Sequence, residues 1–127
     1  MGRRLRPSPH FNAMPPEFRE LGPSYRAGNP EGTARWSELE ELSRSKTGRL
    51  PERTRSRITW SLLETLKVPT LLITGDADLY TPPAVLRLFS KRISTSKSVI
   101  LPEAGHSAYW EQPEMFNRTV LDFISQH

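Results

Sequence analysis

Val68-Pro69-Thr70-Leu71-Leu72-Ile73-Thr74-Gly75-Asp76-Ala77-Asp78 is an apolar, β-branched run closed by a glycine and followed at once by acids. It is too short for a helix and apolar on both faces, the pattern of a strand buried inside a parallel sheet. Downstream, Ser98-Val99-Ile100-Leu101 reads as a second short strand, stopped by Pro102. Between the two, Pro82 and Pro83 suit a helix start, with Val85, Leu86, Leu88 and Phe89 on the buried side. Two strands joined through a helix form one right-handed crossover unit and lie side by side, parallel. The fold class expected is therefore α/β. Two strands that are apolar on both faces also want neighbours, so the unit looks like one edge of a larger sheet.

Working outward, a last helix is expected from Pro113-Glu114, with Phe116, Val120, Phe123 and Ile124 on one side. Before the first strand, Trp60, Leu62, Leu63 and Leu66 fit a short amphipathic helix that ends ahead of Pro69. Thr33 is an expected N-cap for a helix carrying Trp36, Leu39 and Leu42, and a short helix fits Pro16–Leu21. Gly22-Pro23-Ser24 and Gly28-Asn29-Pro30 read as turns. From Ser43 to Arg57 the chain is basic and interrupted by Gly48 and Pro51, as a surface loop or linker would be. Residues 1–16 show no periodicity and read as an irregular arm.

Composition divides the chain in the same place. Of 29 Leu, Ile, Val and Phe residues, 7 lie in residues 1–57 and 22 in residues 58–127, so only the second part can build a buried layer unaided. Seven of the 12 prolines fall in the first part. The formal charge of +4 splits as +5 over residues 1–60 and −1 over residues 61–127. There is no cysteine, which excludes a disulfide framework, a thiolate zinc site and a cysteine nucleophile. No apolar run approaches the ~18 residues of a membrane span, and no signal-peptide core follows Met1. A soluble, cytoplasmic protein without membrane contact is the expectation.

Loops at the carboxyl ends of parallel strands are where α/β proteins place their reactive groups. Gly75-Asp76-Ala77-Asp78 follows the first strand, and Glu103-Ala104-Gly105-His106-Ser107 follows the second. Adjacent parallel strands bring a carboxylate and an imidazole to one sheet edge. An acid bonded to Nδ1 of a histidine fixes its tautomer and stabilises the imidazolium, leaving Nε2 to take a proton from a nucleophile.

Residues 58–127 resemble the C-terminal portion of the α/β-hydrolase fold family. The resemblance rests on Pro69-Thr70-Leu71-Leu72-Ile73-Thr74-Gly75-Asp76-Ala77-Asp78, on Pro82-Pro83, on Leu101-Pro102-Glu103-Ala104-Gly105-His106-Ser107, and on Trp110-Glu111-Gln112-Pro113-Glu114-Met115-Phe116-Asn117. In that family the acid lies three residues after the glycine that closes its strand, and the histidine follows a glycine after the final strand. The resemblance implies Asp78 as the catalytic acid and His106 as the catalytic histidine; Asp76 is the lesser candidate, its position in the family being variable. Residues 10–57 more loosely resemble the helical cap of such enzymes. The implied organisation is an irregular basic, proline-rich arm over 1–15, a helical cap-like segment and basic linker over 16–57, and the C-terminal part of the hydrolase core over 58–127. The whole is a partial α/β-hydrolase fold, two parallel strands flanked by helices and preceded by the cap-like segment.

The family's nucleophile sits in Gly-x-Ser-x-Gly on a strand-to-helix turn, and that motif does not occur here. Gly22-Pro23-Ser24-Tyr25-Arg26 lacks the second glycine and a preceding strand. Gly105-His106-Ser107-Ala108-Tyr109 puts a tyrosine where the elbow needs a small residue, and Trp110-Glu111-Gln112-Pro113 does not start the helix that should follow. The expectation is a hydrolase portion that carries acid and histidine, uses an ester-type substrate by default, and is inactive alone. A small-molecule substrate is then a partner only once an N-terminal segment completes the site. The alternative is a non-catalytic remnant that self-associates through its open sheet edge. Asp76, Asp78 and His106 offer no fourth donor and no dedicated spacing, so neither metal nor cofactor is expected. The basic stretches Arg3–Arg6 and Arg44–Arg57 interleave no aromatics, and Glu52 interrupts the second, so nucleic acid is not an expected partner.

Overall fold

Thr70–Gly75 and Ser96–Leu101 do become strands, β1 and β2, in a computed structural model that describes residues 10–44 and 58–127. They pair in parallel, in register from Thr70 opposite Ser96 to Gly75 opposite Leu101. β2 begins at Ser96, two residues before the expected start: Ser96 and Lys97 pair opposite Thr70 and Leu71, although the polar, exposed Lys97 gives no apolar signal in the sequence.

The described helices are α1 (Pro16–Glu20), α2 (Pro23–Gly28), α3 (Pro30–Ser43), α4 (Trp60–Glu64), α5 (Pro83–Ser90), α6 (Ala108–Glu111) and α7 (Pro113–Ser125), with a 3₁₀ turn at Phe11–Ala13. Proline opens α1, α2, α3, α5 and α7. At a first helical position its missing N–H costs nothing and its fixed φ is already helical. This corrects two expectations. Gly22-Pro23-Ser24 and Gly28-Asn29-Pro30 are not successive turns in a loop; they are the two ends of α2, started by Pro23. α3 starts at Pro30 rather than after Thr33, since the Asn29 side chain caps it by accepting from the Gly32 amide at 2.8 Å. Thr33 sits inside the first turn, its hydroxyl donating to the Asn29 carbonyl. The helix at Trp60 is capped by Thr59 and stops at Glu64, short of Leu66.

The core lies at the carboxyl ends of the strands. Leu101, Ala104 and Ala108 are buried together, with Ile73, Val99 and Phe116 packed against them. Leu86 of α5 and Trp36 of α3 are buried as expected. Leu88 is exposed instead. Phe11, within the stretch read as an irregular arm, is buried and meets Tyr80 edge-on at 4.8 Å between centroids. Ile100, Leu121 and Ile124 remain exposed, so apolar side chains of the strand–helix unit are left uncovered among the described residues. Residues 1–9 of the expected arm and residues 45–57, most of the basic linker, lie outside the described residues. No helix among the described residues is long and apolar enough to cross a membrane.

Candidate active site

Gly75 ends β1 flush against the turn after β2: a β-carbon there would collide with the Ala104 carbonyl. With that close approach the Ala77 amide donates to Ala104 at 3.0 Å and the Asp76 amide to Leu101 at 3.0 Å. The two loops are thereby tied edge to edge. Asp78 then turns inward, only 4% exposed. Its Oδ1 accepts the amides of Tyr80 at 2.7 Å and Thr81 at 2.9 Å, and its Oδ2 faces Nδ1 of His106 at 2.9 Å. The Thr74 hydroxyl stands 3.0 Å from the same Oδ2 and 2.6 Å from the Thr81 carbonyl, pinning the loop that carries Asp78 to the strand end.

The two residues singled out from sequence therefore meet, and Asp76 does not join them; nothing connects its side chain to His106. Burial pushes the Asp78 carboxyl up, but the bond from His106, the Thr81 amide, the His106 charge and the Tyr80 amide outweigh it, and the carboxyl titrates below its usual 3.8. His106 titrates above its usual 6.5, raised by its bond to Asp78, opposed by burial, and raised further by the charges of Asp78 and Glu20. Tyr80 lies against the imidazole at 4.5 Å between centroids. The ring keeps 42% of its side-chain surface exposed, and among the described residues Nε2 has no hydrogen-bond partner. A cavity of about 130 Å³ opens beside the pair, bordered by Thr74, Asp78, His106, Ala108, Tyr109 and Phe116.

Neither Ser24 nor Ser107, the serines of the two incomplete elbow motifs, is hydrogen-bonded to His106. The Ser24 hydroxyl donates to the Glu103 carboxylate, and Ser107 is buried. A helix does follow the histidine after all: α6 is a single turn, its Trp110 and Glu111 amides donating to the Ser107 carbonyl. Sequence reasoning assigned no role to Glu111, although it stands in the Glu-Gln-Pro run that carries the family resemblance. Its Oε1 accepts the Gly105 amide and its Oε2 the Gly22 amide, both at 2.9 Å, and burial raises its carboxyl above the usual value. No set of three His, Asp or Glu side chains that could hold a metal gathers among the described residues.

A family model described as alpha/beta hydrolase fold matches residues 2–113. The chain belongs to the alpha/beta hydrolase fold family. Within that family it is 43% identical over 68 residues to a 2-hydroxy-6-oxononadienedioate/2-hydroxy-6-oxononatrienedioate hydrolase of Pseudomonas putida, a match covering 53% of this chain and 23% of the relative. It is 32% identical over 63 residues to a pimeloyl-[acyl-carrier protein] methyl ester esterase of Neisseria meningitidis, covering 50% and 24%. The chain thus spans about a quarter of the length of the curated relatives it matches. Among solved structures, a thermophilic esterase from Thermogutta terrifontis superposes with a TM-score of 0.69 at 23% identity, covering 98% of this chain and 46% of that one. The partial alpha/beta hydrolase fold expected from sequence is thus the fold observed.

Proposed function

We propose that this chain contributes the acid–base half of an ester-hydrolysing site, with His106 as general base and Asp78 as its orienting acid. The observation that carries the reading is the 2.9 Å bond between Asp78 Oδ2 and His106 Nδ1 at the carboxyl ends of adjacent parallel strands. Nδ1–H donates to the carboxylate, so Nε2 carries the lone pair and points it to the open side. A nucleophile from a segment or chain outside these residues gives its proton to Nε2 as it attacks the ester carbonyl. The imidazolium, stabilised by Asp78, returns that proton to the departing alcohol. Water, deprotonated by the same Nε2, then attacks the acyl carbon, and the imidazolium returns that proton to the nucleophile as its bond to the acyl group breaks, releasing the acid. Esters are favoured because a relative bears the name of a methyl ester esterase. A groove of about 340 Å³ lined by Trp36, Leu39, Glu40 and Ser43 of α3 and by Tyr109 and Trp110 of α6 would receive the apolar part of such a substrate against its aromatic side. It is this wall, built by α3, that supports a cap-like role for the described part of that segment, residues 16–44 of 16–57.

The purified chain is expected to hydrolyse p-nitrophenyl acetate no faster than its His106→Ala variant, since no hydroxyl among the described residues reaches Nε2. A rate lost on His106→Ala would place a complete triad in this chain and end the proposal that it is inactive alone.

A second reading has its own observation. Ile100, Leu121 and Ile124 are exposed and Leu71, Leu72 and Ile73 are only half-buried, although the strand is apolar on both faces. An unfinished sheet edge of that kind pairs readily with another chain, so a non-catalytic module that self-associates through it is the alternative.

A further inference from the structure

We propose that Glu111 is the positioning residue for His106: its carboxylate clamps the histidine loop to the corner between α1 and α2 and so holds the imidazole against Asp78. The proposal rests on reading His106 as the base. Gly105, whose amide donates to Oε1, immediately precedes His106, and Gly22, whose amide donates to Oε2, is the corner itself. The residue after His106 is held on the same corner, the Ser107 amide donating to the Glu20 carbonyl at 2.9 Å. Both peptide neighbours of the histidine are thus fastened to one external support, while its ring is fastened to Asp78.

The approach is close as well as polar. A β-carbon on Gly105 would press on the Gly22 nitrogen and the Glu20 carbonyl, and one on Gly22 on Glu111 Oε2 itself. The carboxylate gives each of the two converging N–H groups its own oxygen, and an anionic acceptor makes the stronger bonds. Glutamine supplies one oxygen and one NH₂, which turns a donor toward one of the amides. α6 is the reason Glu111 reaches: one helical turn folds the chain back so that residue 111 faces residue 105. Asp78 and Arg26 are the charged side chains that act on this carboxylate from the neighbouring loop and helix.

The test is an NMR titration of the His106 side chain in the whole chain, as wild type, Glu111→Gln and Asp78→Asn, with exchange of the Gly105 amide followed in parallel. Glu111→Gln is expected to lower the His106 pKa toward the ordinary histidine value and to speed Gly105 exchange about tenfold, the loss of one charge-assisted bond. If Asp78→Asn lowers the His106 pKa while Glu111→Gln changes neither readout, the positioning role is overturned and the pair stands. If Asp78→Asn leaves that pKa unchanged, the acid–base reading itself fails. Should Glu111→Gln not fold, the wild type still decides. Its Gly22 and Gly105 amide shifts are expected to follow the Glu111 carboxyl carbon through one common midpoint, and separate midpoints overturn the clamp.

Discussion

Asp78 and His106 hold opposite charges over a bounded range of pH, and this sets how the fold depends on acidity. Asp78 titrates below its ordinary 3.8, so the stability it adds is present above that value and is lost as pH falls through its folded pKa. His106 titrates above its ordinary 6.5, so its share is full below 6.5 and disappears as pH rises through the raised value. One interaction is seen from both partners, and it is greatest between 3.8 and 6.5. The gap in melting temperature between wild type and Asp78→Asn is expected to be widest inside that window and to narrow on either side; a gap that stays flat with pH would show that the pair does not titrate as a unit. Catalysis by a completed site would run the other way, since Nε2 must be unprotonated to act as base. Both members of this pair are legible in the amino-acid order: strand and glycine placement bring acids and a histidine to one edge, and the family resemblance picks Asp78 over Asp76 as the partner. Glu111 and Thr74 are not. A glutamate between Trp110 and Gln112 carries no local mark of burial, and its role exists only because Gly22, 89 positions away in sequence, arrives beside it.

At the scale of elements, glycine and proline do most of the placing. Gly75 lets β1 run into the turn after β2 without a side chain between them, and the loop carrying Asp78 hangs from that junction. Gly75→Ala is expected to cost about 1–3 kcal/mol, measured as a lower urea midpoint with unchanged slope, because the obstruction is backbone and cannot swing aside. An unchanged midpoint would mean that the two loops are not packed as described. The strands and α5 and α7 follow from apolar periodicity, which reads a face directly. The α1–α3 region is harder to read: its prolines look like interruptions until each is recognised as the first residue of a helix. α6 escapes for a related reason, since four residues leave no periodicity to detect.

Over the whole molecule, the apolar residues of the second part exceed what two strands and their helices can cover. Ile100, Leu121 and Ile124 stay exposed, and β1 and β2 are each paired on one side only among the described residues. The purified chain is accordingly expected to self-associate in sedimentation experiments, and Leu72→Glu to shift it toward monomer by placing a charge on the half-buried strand face. A wild-type chain that sediments as a monomer at high concentration would remove the interaction-module reading. The amino-acid order by itself determined the strand–helix–strand unit, its parallel sense and the edge at which an acid and a histidine stand, because apolar runs and glycine placement act over neighbouring residues; the choice of Asp78 over Asp76 came from the family resemblance. Only the tertiary structure decided that Phe11 packs on Tyr80, that the α1–α2 corner rests on the histidine loop, and that Glu111 joins them. Those contacts depend on the distance and direction between segments far apart in the chain, which no local pattern encodes.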